Sequence, residues 1–225
     1  MQRIYYAPPY KNHKTMKYIL FIFVALLLAS CGDGNRYAVI ETEYGNMKVM
    51  LYNSTPKHRD NFVKLAKEGY YDELLFHRII PNFMVQGGDP DSRNAAPGAM
   101  LGMGGPGYEI DAEIGSPHFK GALAAARDQN PAKRSSGSQF YIVQGQPVDD
   151  NVLNGLEHQK GIRYSPEQRQ LYREIGGAPF LDGDYTVFGE VVEGLDVLDK
   201  IAAVPTAPGD RPLQDVKMKV KLVRK

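Results

Sequence analysis

The chain has almost no net charge, and this absence limits the partners that it can bind. Its 27 basic and 26 acidic side chains give a formal net charge of +1. Residues 1–30 hold four of the basic and none of the acidic side chains, so the rest of the chain carries 23 and 26. Domains that bind nucleic acid usually display a strongly basic patch or stripe. We therefore expect no nucleic-acid partner.

Cysteine is nearly absent as well. Cys31 is the single one, so no intramolecular disulfide can form, and the hydrophobic core alone has to hold the fold. The histidines also lack the paired spacing that is typical of metal ligands, and no second cysteine can join them. We therefore predict no metal site. The histidines considered are His58, His77, His118 and His158.

The apolar run before Cys31 is too short to cross a membrane comfortably. It spans residues 18–30, YILFIFVALLLAS, and follows Met16-Lys17, whereas a membrane-spanning helix needs roughly 20 apolar residues. A basic start, a short apolar stretch and small residues before a cleavage point are typical of a secretory signal. We expect residues 1–30 to be a signal peptide, with residues 1–15 as an upstream start-site artefact or a loose extension.

The end of this run resembles a lipoprotein signal. Leu28-Ala29-Ser30-Cys31 matches the lipobox of bacterial lipoproteins, in which the cysteine is lipidated and becomes the mature N-terminus. The resemblance implies a membrane anchor on Cys31, a polar tether at 31–36 and a place in the cell envelope, as a periplasm-facing or outer-membrane lipoprotein. A plain signal peptide with an incidental cysteine is the alternative. The domain that follows spans residues 37–225.

The remaining sequence predicts a mainly β fold. Residues 37–52 form two strand-like runs around Tyr44-Gly45-Asn46, which is typical of a hairpin. Ser54-Thr55-Pro56 offers a cap and a proline at the start of one helix, and a second amphipathic helix follows residue 194. Many short strands with two such helices favour a closed β-barrel with helical caps. The other predicted strands are 74–86 with a break at Pro81-Asn82, 121–126, 138–143, 185–192 and 217–223.

One polar segment, residues 147–179, interrupts this pattern. Ser165-Pro166-Glu167-Gln168 is a capping-box start, and Gly176-Gly177 is a stop signal. We interpret the segment as a helical excursion inserted in a loop of the barrel.

Two motifs suggest chemistry that their context does not support. Residues 102–107 match the G-x-G-x-x-G dinucleotide fingerprint, but that fingerprint works only between a strand and a helix. Pro106 lies inside it and β-like sequence follows, so we predict a rim loop and no cofactor. Ser135, Ser136 and Ser138 lie in a predicted turn without a nucleophile-elbow pattern, so we expect no catalytic serine.

The stretch FHRIIPNFMVQGGD at residues 76–89 places an arginine inside an apolar, β-branched run. Alternate side chains of a strand share a face. If a turn at Pro81-Asn82 folds the two halves together, an apolar pocket with one cation and one amide at its edge would result. Its border would hold Arg78, Phe83, Met84 and Gln86. The alternative is a surface arginine that snorkels beside ordinary core residues, and the stretch alone leaves both open.

Together with GALAAA at 121–126, GSQFYI at 137–142 and FLDGDYTVFGEV at 180–191, this stretch resembles the cyclophilin family of peptidyl-prolyl cis-trans isomerases. The similarity runs from Tyr37 to the C-terminus and is interrupted by residues 147–179. It implies an eight-stranded antiparallel barrel capped by two helices, which acts on proline-containing unfolded or flexible polypeptides without a cofactor.

The resemblance also implies residue roles. Arg78 matches the catalytic arginine; Phe83, Met84, Tyr141 and Leu181 match the walls of the proline pocket; Gln86, Ala126 and Gln139 match groups that line the peptide groove. Four positions depart from the eukaryotic form, with other residue types in place of its phenylalanine, tryptophan, histidine and asparagine. They are Tyr141, Phe180, Tyr185 and Arg127, and we expect Phe180 and Tyr185 to contact substrate.

We therefore predict a membrane-tethered, monomeric isomerase that assists the folding of exported proteins through Arg-assisted twisting of the X-Pro amide. His77 is interpreted as a structural or rim residue, because the reaction needs no base. The alternative is a peptide-binding chaperone or scaffold with a cyclophilin barrel and little turnover, docked through residues 147–179. The presence of Arg78 favours the isomerase.

Overall fold

The computed structural model describes residues 36–224, so the predicted signal peptide, Cys31 and the tether as far as residue 35 lie outside the described residues. Strands occur throughout the described part. They are β1 Arg36–Thr42, β2 Gly45–Leu51, β3 Leu74–Ile80, β4 Met84–Gly87, β5 Glu109–Ile110, β6 Ala122–Ala125, β7 Ser135–Ser136, β8 Phe140–Val143, β9 Val187–Glu193 and β10 Lys217–Val223.

Eight of these strands close into an antiparallel barrel, which confirms the predicted fold. Their order is β1, β10, β3, β4, β8, β6, β9, β2, and β2 pairs back with β1. β5 and β7 form a separate two-stranded sheet, which the sequence did not indicate because each strand has only two residues. Ser135 and Ser136 therefore lie in a strand, so their assignment to a turn was wrong.

Four α-helices lie within residues 36–224: α1 Pro56–Lys67, α2 Asp150–Lys160, α3 Pro166–Glu174 and α4 Leu195–Ala202. The first and last are the two predicted caps, and each presents a buried apolar face. The apolar face of α1 contributes Phe62, whose ring lies 5.1 to 5.7 Å from those of Tyr71, Phe140 and Phe188 in the barrel core. None of the described helices is long and apolar enough to cross a membrane.

The start of α1 is capped differently from the prediction. Pro56 occupies its first turn as expected, but the hydroxyl of Thr55 donates to the Tyr52 carbonyl at 3.4 Å and makes no cap bond. The Glu113 carboxylate instead accepts from the backbone N–H groups of Lys57 and His58, at 3.1 and 3.0 Å. A carboxylate at a helix N-terminus also interacts favourably with the helix dipole. A long-range contact has replaced the local cap.

The predicted excursion contains α2 and α3. Both bonds of the Ser165–Gln168 capping box are present at the start of α3. The excursion has a small core of its own, centred on Leu153, Tyr164 and Tyr172, against which Phe119 of the barrel side packs. Gly177 lies so close to this junction that a Cβ on it would sit 2.2 Å from the His118 carbonyl oxygen. The backbone is therefore in direct contact where the excursion rejoins the barrel.

Candidate active site

A β-bulge in β3 determines where Arg78 points. The pairing with β4 shifts register between Phe76 and Arg78, so His77 is the extra residue. Phe76 and Ile79 are both in the barrel core, whereas strict alternation would place only one of them there. Bulges re-aim side chains in this way. Arg78 consequently projects to the outer surface of the barrel, with 43% of its side chain exposed.

The side chains that face outward from β4, β6 and β8 form a second apolar cluster on this surface. Met84 and Tyr141 are 2% and 5% exposed in it, although they lie outside the barrel core. Beside them opens a cavity of about 180 Å³. Its lining is Arg78, Phe83, Met84, Gln86, Ala126, Arg127, Tyr141, Leu181 and Tyr185. The structure thus brings together eight of the ten residues that the sequence analysis assigned to the site.

The other two lie next to this cavity. Phe180 stands at its edge, 51% exposed, with its ring 5.2 Å from that of Phe83. Gln139 is buried and lines a neighbouring cavity of about 350 Å³. Arg127 also lines the cavity, although the sequence did not predict it as a site residue and it was noted only as a departure from the family pattern.

Hydrogen bonds orient the polar edge of the cavity. Arg78 Nη1 approaches Gln86 Oε1 at 3.5 Å, and Gln86 Nε2 donates to Gln139 Oε1 at 3.0 Å. Gln139 Nε2 in turn donates to the carbonyl oxygens of Gly102 and Gly104, at 2.9 and 2.8 Å. These bonds define the orientation of both side-chain amides and connect Arg78, through Gln86 and Gln139, to the glycine-rich loop at residues 102–107.

The carboxylate of Asp210 forms an ion pair with Arg78 on its other side. Arg78 Nε donates to Asp210 Oδ2 at 3.3 Å, and the Asp210 carbonyl accepts from Ile79 N at 2.8 Å. Asp210 lies in the loop before β10, far from Arg78 in sequence. No local pattern in the sequence indicates this residue.

The family model for cyclophilin type peptidyl-prolyl cis-trans isomerases matches residues 37–222 of the chain. The chain belongs to this family. It is 38% identical over 185 residues to a protein of Staphylococcus aureus that is assigned as a peptidyl-prolyl cis-trans isomerase, and the match covers 82% of this chain and 89% of that protein. A relative from Staphylococcus saprophyticus with the same assignment is 39% identical over 191 residues, covering 82% and 90%.

Solved structures give the same result. A cyclophilin type peptidyl-prolyl cis-trans isomerase of Cryptosporidium parvum is 26% identical and superposes with a TM-score of 0.60, covering 85% of this chain and 99% of that one. The same protein crystallised in the presence of the dipeptide Ala-Pro matches with a TM-score of 0.59. The predicted family and the predicted enzyme class are confirmed, and the chain is a cyclophilin-type peptidyl-prolyl isomerase.

Two further cavities share lining residues with the small one, and we call the three together the groove. One, of about 350 Å³, lies against residues 102–105; the other, of about 700 Å³, is bordered by residues 97–103 and 207–215. Gln86 lines all three. The loop that matches the dinucleotide fingerprint thus forms a rim of the groove, and strand β5, not a helix, follows it. An extended peptide can lie along such a groove.

Permanent charge at the cyclophilin pocket comes from two arginines. Arg127 stacks over the Tyr185 ring at 4.6 Å and donates through Nε to the Asp184 carbonyl at 2.9 Å. His77 adds no charge at neutral pH, because burial lowers its pKa to about 4. It is 4% exposed and so is buried, not on the rim. Within residues 36–224, no cluster of three or more His, Cys, Asp or Glu side chains could hold a metal ion.

Proposed function

We propose that this isomerase accelerates rotation of X-Pro bonds by offering the Arg78 guanidinium to the prolyl nitrogen while the ring occupies the 180 Å³ cavity. The observation that carries the proposal is that Arg78 lines this cavity together with the apolar side chains of Phe83 and Met84. Its Nε and Nη1 atoms face Asp210 and Gln86, while Nη2 makes no hydrogen bond within residues 36–224. Nη2 is therefore the donor available to a substrate.

The barrier explains why a donor at this place accelerates the reaction. Amide resonance imposes a barrier of roughly 18–20 kcal/mol on rotation about the peptide bond. In the twisted transition state the prolyl nitrogen becomes pyramidal and regains its lone pair, so it accepts a hydrogen bond only then. An interaction that strengthens only in the transition state raises kcat. Arginine suits this role because its guanidinium stays protonated and is planar.

Arg78 accounts for only part of the acceleration. A charge-assisted hydrogen bond contributes about 1.5–3 kcal/mol, which is ~10- to 150-fold in rate at 1.36 kcal/mol per decade. An acceleration of ~10⁵-fold would need ~7 kcal/mol. The remainder has to come from holding the proline ring against Met84 and Tyr141 while the groove orients the rest of the peptide in its twisted form.

A peptide isomerisation assay tests this proposal. The chain is incubated with a tetrapeptide that contains Ala-Pro, and cis-trans exchange is followed by NMR with and without the protein. We expect turnover at substoichiometric protein, and loss of most of it in Arg78→Ala. Saturable binding of the peptide without acceleration would identify a chaperone or scaffold and would contradict the proposal.

The cellular setting is part of the same proposal. We place the isomerase in the cell envelope, periplasm-facing or on the outer membrane, as a monomer that is anchored through a lipid on Cys31 and acts on exported proteins. The support is the basic start, the short apolar run and the lipobox match at residues 16–31. Expression of the full chain in a bacterium should place it in the membrane fraction, and Cys31→Ser should release it to the soluble fraction. Equal partition of both chains would contradict the anchor.

A further inference from the structure

Asp182 is the point at which the excursion reaches the pocket. Its side chain is buried and accepts four hydrogen bonds. Oδ1 accepts from the backbone N–H and from Nδ1 of His118, at 2.8 and 2.7 Å. Oδ2 accepts from the hydroxyls of Tyr172 and Tyr164, at 2.6 and 3.0 Å. Half of the bonds that satisfy this carboxylate therefore come from the excursion.

His118 connects Asp182 to Tyr141, which lines the cavity. In the neutral tautomer that suits a carboxylate at Nδ1, the proton lies on Nδ1 and Nε2 is an acceptor. The Tyr141 hydroxyl lies 3.0 Å from Nε2. Burial raises the pKa of Tyr141 well above its ordinary value, so the hydroxyl is protonated and donates. The chain of bonds thus runs from Tyr172 and Tyr164 through Asp182 and His118 to a side chain that lines the cavity.

A second contact links the excursion to the opposite side of the pocket. Lys160, at the end of α2, donates through Nζ to the carbonyl oxygens of Phe180 and Asp182 and to Asp184 Oδ2, at 2.5, 3.0 and 2.6 Å. These atoms belong to residues 180–184, the segment that carries Leu181 into the cavity lining. One ammonium group therefore holds the backbone of this segment from behind.

Packing alone does not account for these side chains. Phenylalanine at positions 164 and 172 would fill the small core of the excursion equally well. The two hydroxyls instead leave that core and converge on Asp182, and burying a polar group is costly unless it is hydrogen-bonded. Burial and the Asp182 charge raise the pKa of both tyrosines, so both remain donors. The two hydroxyls therefore orient the Asp182 carboxylate, which in turn binds His118.

We propose that residues 147–179 act as a buttress of the proline pocket, in which Tyr164, Tyr172 and Lys160 are positioning residues for Tyr141 and for residues 180–184. The inference rests on the proposed function, since it names what positions that same site. The buttress touches no substrate; it sets the angle and the distance of the walls against which the proline ring lies.

A mutant cycle tests this role. Tyr164→Phe and Tyr172→Phe are combined in the full chain, once with Tyr141 present and once with Tyr141→Phe, and kcat/KM is measured on the Ala-Pro tetrapeptide. With Tyr141 present, loss of the two hydroxyls should lower kcat/KM by about tenfold, the size expected for hydrogen bonds to a charged group. With Tyr141→Phe, the same change should lower it by less than about twofold, because the final bond of the chain is already gone.

The control is Arg173→Met, which removes an exposed ion pair with Asp150 inside the same excursion and should leave kcat/KM unchanged. Equal losses in both backgrounds, or no loss in either, would overturn the buttress. An inactive wild-type chain would instead overturn the proposed function, so the two failures are distinct.

If the double variant fails to fold, Lys160→Met keeps the buried core intact and still tests the second contact. Circular dichroism verifies its fold, and we expect a loss of about threefold in kcat/KM, small because the ammonium group is partly exposed. An unchanged kcat/KM in a folded Lys160→Met chain would overturn the role of Lys160.

Discussion

The two sides of the 180 Å³ cavity, the proposed proline pocket, are built in different ways. The first side, which we call the strand wall, consists of Met84 on β4 and Tyr141 on β8, and a continuous backbone ladder joins these strands. The second side, the loop wall, is residues 180–185. Leu181 reaches the cavity from a short 3-10 helix at Pro179–Leu181, and Tyr185 reaches it from the turn that follows. Side chains of distant residues hold the backbone of the loop wall. Main-chain bonds hold the backbone of the strand wall, where His118 is hydrogen-bonded only to the hydroxyl of Tyr141.

This difference determines what a substitution can do. A side chain on the strand wall is packed on a ladder that resists movement, so its loss leaves a gap. A side chain on the loop wall is supported by Lys160 and Arg127, so changes that are distant in sequence can displace it. Stability and activity should therefore change together on the strand wall and separately on the loop wall.

The largest expected effect is at the junction of the two walls, at Arg78. Arg78→Ala should lower kcat/KM on the Ala-Pro tetrapeptide by about 100-fold, because one charge-assisted hydrogen bond to the transition state is lost. The fold should persist, since the side chains of Arg78 and Asp210 are both more than 40% exposed and exposed ion pairs contribute little to stability. Thermal unfolding and the peptide assay measure both quantities.

Arg78→Lys is the matched control. It keeps the positive charge but loses the planar set of donors. We expect a rate between those of the wild type and Arg78→Ala. A lysine variant as active as the wild type would show that a positive charge at position 78 is sufficient. It would contradict the proposed role of the planar guanidinium donors.

The next effect compares the walls directly. Met84→Ala should lower kcat/KM by about tenfold and the free energy of unfolding by about 2 kcal/mol, because a fully buried methionine leaves a cavity when truncated. Leu181→Ala should lower kcat/KM by about fivefold, with a stability loss below about 1 kcal/mol, because this leucine is only partly buried. Urea unfolding measures the free energy of unfolding of both variants, and the peptide assay measures their kcat/KM. Equal stability losses would contradict the distinction between the walls.

The sequence predicted lining residues of both walls, but only the strand wall carried a local pattern; the residues of the loop wall came from the family resemblance. Alternation and the break at Pro81-Asn82 placed the β3–β4 hairpin, and the ordered blocks of family-like sequence supplied Tyr141 and Leu181. The register shift at His77 was not predicted, because a bulge depends on pairing with a neighbouring strand, and no local residue preference signals it. Even so, the shift left Arg78 on the outer face that the pocket hypothesis requires.

The contacts that support the loop wall could not be predicted from the sequence, for a physical reason. Asp182, His118 and Tyr172 are ordinary residues in their local sequence, and they meet only after the barrel and the excursion have folded. Residues 147–179 were correctly predicted as helical, because Ser165 and Gln168 form a local signal. Nothing local indicated which side chains of the excursion would reach Asp182. Asp210 was missed for the same reason.

Asp210→Asn should have a smaller effect, again at the junction. The asparagine keeps the size of the side chain and the backbone contact with Ile79, but it removes the charge beside Arg78 Nε. We expect kcat/KM to fall by about threefold, because the ion pair is exposed and only helps to orient the guanidinium. In the Arg78→Ala background the substitution should have no effect on kcat/KM. A threefold loss there would show that Asp210 acts on the peptide directly.

The smallest effect concerns the charge that holds the loop wall. Hydrogen bonds from Lys160 and Lys133 lower the pKa of Asp184 to about 2, from 3.8. A carboxyl whose pKa is lower in the folded state adds stability above pH 3.8 and loses it as the pH falls towards 2. Because Asp184 is about one-third exposed, we expect this contribution to be below about 1 kcal/mol. The measurement is urea unfolding of the wild type and Asp184→Asn at pH 6 and pH 3. The wild type should be the more stable chain at pH 6, and the difference should shrink at pH 3. A difference that stays constant between these pH values would mean that the aspartate acts through its shape and not through its charge. The loop wall would then depend on packing, as the strand wall does, and not on ion pairs.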